Sequence, residues 1–167
     1  MKNVLLLLLV LTFSICLRAK NEMDQYRYEI ESYQGDVSAA PGCVIIKVWN
    51  YGKKEQITRR LCIRNAVHGL IFKGYFALNA RSADKGHSAL CPEGYEAHKK
   101  YFDSFFKDEK FLKYVDSSNK GVLPSGDVIK IAKREYKIGM IVVVNFNALR
   151  KQLEKDGIVK SLDYLFK

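Results

Sequence analysis

Residues 136–145 constrain the fold of this chain more than any other stretch. Successive side chains of a strand point to opposite faces. Ile138, Met140, Val142 and Val144 therefore share one face, and Ile141 and Val143 the other. A strand apolar on both faces is covered on both, which places it at the centre of a sheet. The rest of the chain must supply its neighbours.

Several segments read as such neighbours. Residues 26–31 alternate apolar and charged side chains, the pattern of a half-buried strand. Residues 44–51 are β-branched and aromatic, which predicts a second, more fully buried strand. Residues 70–75 and 127–132 read as two more. Between them, residues 56–67 hold good helix formers and no breaker, with Gly69 placed as a C-terminal stop. Their apolar residues form no single stripe. Residues 95–115 read as a helix with His98, Phe102 and Phe105 on one face and Tyr101 and Phe106 beside it. Phe111, Leu112 and Val115 continue it after a bend near Asp108. Asn147 is placed as the cap of a last helix, with Leu149 and Leu153 facing the core and Gly157 as its stop. Turn-rich breaks occupy residues 35–42 with Pro41, 79–94 with Pro92, and 116–126 with Pro124. The expectation is an α+β domain of order β-β-α-β-α-β-β-α. About five strands form an antiparallel or mixed sheet, with helices packed on one face.

The N-terminus reads differently. Lys2 precedes an unbroken apolar run over residues 4–11, which continues through residues 12–16 to Leu17, Arg18 and Ala19. A positive start, an apolar run and a small residue at its exit predict a cleavable export signal over residues 1–19. The run is too short for a membrane span, which needs about 20 residues. Cutting after Ala19 leaves one domain over 20–167; cutting after Cys16 is the alternative. A lipid anchor at Cys16 ranks lower, because Phe13, Ser14 and Ile15 lack the leucine and the small residue of a lipidation signal. These features predict a periplasmic, outer-envelope or secreted protein.

The formal net charge is +10, and the signal segment contributes only Lys2 and Arg18 to it. A basic exported protein can meet an envelope protein or an anionic surface polymer. The lysines are spread along the chain, with neither a basic arm nor an aromatic-basic signature, so nucleic acid is not expected. After cleavage Cys43, Cys62 and Cys91 remain, an odd number in no disulfide pattern. One pair could bridge; three buried free thiols is the preferred reading.

Residues 65–74, reading Asn-Ala-Val-His-Gly-Leu-Ile-Phe-Lys-Gly, resemble a segment of uncharacterised exported proteins of Bacteroidetes-type bacteria. So does the closing run: residues 136–145, then Ala148 to Lys151 and Asp156, Gly157 and Ile158. The pattern of a long strand, an Asn, a Leu-rich helix and Gly-Ile is also similar to small domains of envelope lipoproteins and flagellar-assembly proteins. The resemblance implies an α+β fold serving assembly or interaction, and it implies no site residues.

Candidate chemistry is sparse. His87, Cys91 and His98 are metal-ligand types, but their spacing matches no zinc pattern and a fourth ligand is not evident. Cys91 with His87 is the one compact nucleophile-base pair, and it sits in a loop. Cys62 and His68 fall on different sides of a helix. Phosphate-binding loops are absent. Asp108 with Glu109, and Glu154 with Asp156, read as solvated surface among lysines. Arg59, Arg60 and Arg64, with Lys53 and Lys54, form the densest basic region and read equally as a solvated helix face or an anion-binding one. No catalytic, metal or cofactor residue is assigned. The expectation is a non-enzymatic exported protein acting by macromolecular binding or assembly. The alternatives are a hydrolase of cell-surface polymers with scattered catalytic residues, and a carrier with a large apolar cavity.

Overall fold

The computed structural model describes residues 27–35, 39–77, 84–116 and 127–161. The proposed signal segment and its cleavage points lie outside these residues. In chain order the elements are β1 (Tyr28–Ser32), β2 (Cys43–Gly52), α1 (Arg59–Phe72), β3 (Tyr75–Phe76), β4 (Gly86–His87), α2 (Lys99–Lys107), β5 (Val128–Ala132), β6 (Glu135–Asn145) and α3 (Phe146–Lys155). Short 3₁₀ turns stand at Lys54–Gln56, Glu96–His98 and Lys110–Tyr114.

Four strands form an antiparallel sheet of order β1-β2-β6-β5. β6 is flanked on both sides, as its two apolar faces require. Val142 stands opposite Ile46, and Met140 opposite Val48. These four and Val144 make one face of the sheet, packed with Cys62, Ala66, Val67 and Leu70 of α1 and Leu149 and Leu153 of α3 into one core. Ile141 and Val143 are buried on the other face. The chain is therefore α+β with its helices on one side of the sheet.

The strand count differs from expectation: among the described residues the main sheet has four strands, and β3 pairs with β4 in a separate two-stranded sheet. The expected strand over residues 70–75 is mostly the end of α1, and the expected loop 79–94 contains β4. The first difference traces to Gly69, which lies inside the helix. A Cβ there would stand 2.7 Å from Ile30 Cδ1 and 3.2 Å from Tyr28 Cε2. The glycine admits β1 against the helix; it does not end it. The stop is Gly74, at φ +68, whose N–H and that of Lys73 both donate to the Gly69 carbonyl. Thr58 begins the helix by accepting from the Leu61 N–H.

α1 shows no single stripe because both its sides are covered. The sheet lies on one side. On the other Phe72 meets Phe102 of α2 at 4.7 Å between ring centroids, and His68 meets Phe106 at 5.6 Å. The bend expected near Asp108 is present, with Glu109 left-handed at φ 55. Leu149 and Leu153 are buried as expected. The cap of α3 is Asn145, not Asn147: its side chain accepts from the Ala148 N–H at 2.9 Å. The long strand ends in its own helix cap, so strand and helix are continuous.

Candidate functional site

Several polar side chains of the core pair with one another, although the Asn65 Oδ1 has no hydrogen-bond partner among the described residues. Asn65 donates to Asn50 at 2.6 Å, and Asn50 in turn to the Cys62 thiol at 3.2 Å. His68 Nδ1 is 2.6 Å from the Tyr28 hydroxyl. Burial, aided by the charges of Lys73 and Arg64, pushes the His68 pKa down to about 3. Burial pushes the Cys62 thiol up to about 12. A histidine that stays neutral and a thiol that stays protonated near neutral pH act as packing groups.

The pairs that sequence spacing suggested do not come together. His87 is exposed, and its ring lies tilted against Phe146 at 4.3 Å between centroids. Cys91 is buried, turned toward Glu93 and the Gly94 carbonyl, and burial followed by Glu93 raises its pKa. His98 edges onto Phe102. No three His, Cys, Asp or Glu among the described residues could jointly hold a metal ion. Cys43, Cys62 and Cys91 form no disulfide with one another, and Cys43 is only half-buried, a departure from the reading of three buried thiols. The adjacent carboxylates have separate partners. Asp108 accepts from Ser104, and Glu109 pairs with Arg60 at 2.9 Å. Glu154 pairs with Arg150, and Asp156 accepts from Tyr101. In the basic region Arg64 lies over the Phe106 ring, so part of that helix face is packed.

Phe102, Phe105 and Phe106 of α2 belong to the core. Beside them a shallow groove of about 530 Å³ runs along the helix, lined by His98, Lys100, Tyr101, Ser104 and Phe105 among others. It brings no carboxylate to His98, and the Tyr101 hydroxyl is taken by Asp156.

The face of the sheet opposite the helices carries a charged lattice. Trp49 stands across from Gly139 and lies so close that a Cβ there would be 2.8 Å from the indole. Lys47 and Lys137 approach the indole at 4.5 and 4.9 Å, and its Nε1 donates to Glu31 at 2.8 Å. Lys47 pairs with Asp127 at 2.7 Å, Lys137 with Glu29 at 3.1 Å, and Arg27 with Glu135. Hydrogen bonds from Tyr51, then Lys137, hold the Glu29 carboxyl below its ordinary range. Each cation of this lattice already has its anion.

β5 is different. It is an edge strand among the described residues, yet its apolar side chains are open to solvent: Val128 is 42 % exposed, and Ile129 and Ile131 are each 45 % exposed. Ile131 is the extra residue of a bulge between Lys130 and Ala132. Lys130, Lys133 and Arg134 make no ion pair among the described residues. The opposite edge is more covered, for β3 packs beside β1 and Lys73 donates to the Tyr28 carbonyl at 3.1 Å. Sequence reading found β5 as a strand but not as a surface. The available signal was Val128-Ile129-Lys130-Ile131, apolar on both faces in a segment too short and too basic for a sheet centre.

No protein-family model matches the chain, and no curated protein and no solved structure is significantly similar to it. Among the described residues no helix is long and apolar enough to cross a membrane.

Proposed function

We propose that this chain is an exported, non-enzymatic protein of the cell envelope or its surroundings, and that it works by binding another macromolecule through the β5 edge. The observation that carries this is the group Val128, Ile129 and Ile131, left open together on one edge strand, whereas the other exposed large apolar side chains among the described residues, Phe76 of β3 and Leu112, stand singly on other elements. Apolar groups exposed on both faces of one edge strand offer side-chain contacts to a partner lying along that edge, and an unpaired strand edge is a template for pairing. The export signal read over residues 1–19 and the resemblance to exported proteins supply the compartment.

A photo-crosslinking residue at position 131, in cells making the full chain, tests it. The expected result is one discrete adduct in the envelope or secreted fraction, absent when the same residue replaces exposed Glu96. Diffuse or absent crosslinking at 131 would remove the β5 edge as the binding surface. Sequencing the N-terminus of the exported protein is expected to find it starting between Leu17 and Asp24.

A further inference from the structure

We infer that the partner of β5 is an extended, acidic segment of another polypeptide, which adds to the sheet as a further strand. This rests on the reading of β5 as the binding surface and names the chemistry of what it binds. In an antiparallel ladder the residues alternate between those that bond to the neighbouring strand and those that bond outward. The Gly139 N–H donates to the Asp127 carbonyl at 2.8 Å, and Val128 stands opposite Ile138, Ile129 opposite Lys137. Asp127 and Ile129 therefore turn their backbone groups to β6, and Val128 and Lys130 turn theirs outward. An incoming strand finds two outward residues for main-chain pairing, with Ile129 on one face and Val128 on the other for its side chains.

Charge selects the occupant. Lys130 lies on the edge, and Lys133 and Arg134 form the turn that joins β5 to β6. All three lack an ion-pair partner among the described residues. A second copy pairing through β5 would set basic strand against basic strand, which is unfavourable. The lysine that guards the edge against another copy attracts an acidic strand. Anionic glycans would meet the same cations, but they gain nothing from Val128, Ile129 and Ile131 or from outward amides.

The test uses a fluorescent peptide of about eight residues alternating glutamate and valine, with a lysine-for-glutamate version as control, and anisotropy on the purified full chain. The acidic peptide is expected to bind at least about tenfold more tightly than the basic one at low salt, with the ratio shrinking as salt screens it. Lys130→Glu is expected to weaken the preference, and Lys130→Glu combined with Lys133→Glu and Arg134→Glu to reverse it. Val128→Pro removes an outward N–H at the first residue of an edge strand, a place where proline is tolerated. It is expected to abolish binding of both peptides while the melting temperature stays within a few degrees. If Val128→Pro does not fold, the preference reversal in the triple glutamate variant decides, and an unchanged preference there overturns the proposal. Equal binding of the two peptides, undiminished binding by folded Val128→Pro, or a dimer of the chain that Val128→Pro dissolves would each overturn the proposal. No binding of the acidic peptide alongside a discrete adduct at position 131 would sink strand addition and leave the binding surface standing. Loss of both removes both.

Discussion

His68 shows how one buried residue sets a pH dependence. Its pKa falls from the ordinary 6.5 to about 3 in the folded chain, with burial the main cause. Between those values the unfolded chain holds the extra proton, so stability rises with pH there and is lost as pH falls below 6.5. The slope from this group is about 1.4 kcal/mol per pH unit. Urea denaturation at pH 7 and pH 5 is expected to show roughly 2 kcal/mol more loss in the native sequence than in His68→Phe. Parallel pH profiles for the two proteins would show that His68 titrates normally. Gly69 gives a second test at this scale. Alanine is the better helix former by about 1 kcal/mol, but its Cβ would press on Ile30 Cδ1 at 2.7 Å. Overpacking costs about 1–3 kcal/mol, so Gly69→Ala is expected to lower the melting temperature. Adding Ile30→Val, which removes Cδ1, is expected to restore part of it. A rise in melting temperature for Gly69→Ala alone would contradict the close approach of β1. The sequence could not show that approach: a glycine near the end of a helical run reads as a stop, and only the packing of β1 across it says otherwise.

At the scale of elements, β6 and β5 make a contrast that one substitution can read. Val142 is buried opposite Ile46, and Val142→Asp would bury an unpaired charge, enough to unfold a domain of ordinary stability. Ile131→Asp places the same charge in solvent on the bulge and is expected to cost less than about 1 kcal/mol. Thermal melts of the two variants check this, and equal losses would mean that Ile131 is packed. The start of β5 is held by the ion pair of Lys47 and Asp127, whose side chains are only 17 % and 10 % exposed. Lys47→Met would strand the Asp127 charge, whose second oxygen already lacks a hydrogen-bond partner, at a cost of about 3–5 kcal/mol. β6 was legible in the sequence because its period is two and its both-sided apolarity has one explanation. β3 and β4 were not, for strands of two residues have no period to read. α1 was placed but cut short, since a helix covered on both sides loses the stripe that marks its extent. The openness of β5 had only an indirect signal, the short, basic and two-sidedly apolar run Val128-Ile129-Lys130-Ile131, because which strand ends at an edge is a property of sheet order.

At the scale of the whole molecule, charge and apolar surface are distributed unequally over the two sides of the sheet and its two edges. The helix side is core. The opposite face is a lattice in which Glu29, Glu31 and Asp127 answer Lys137, Trp49 and Lys47. One edge is partly covered by β3 and Lys73, and the other, β5, combines open apolar side chains with cations that have no partner among the described residues. The most direct measurement is amide hydrogen exchange, residue by residue, in the full chain with and without the acidic peptide. In the free chain the Val128 and Lys130 amides are expected to exchange fast and the Ile129 amide slowly, because only the last faces β6. With the peptide bound, Val128 and Lys130 are expected to slow by an order of magnitude or more. If the peptide binds and those two amides exchange as before, the chain does not take its partner as a strand on β5.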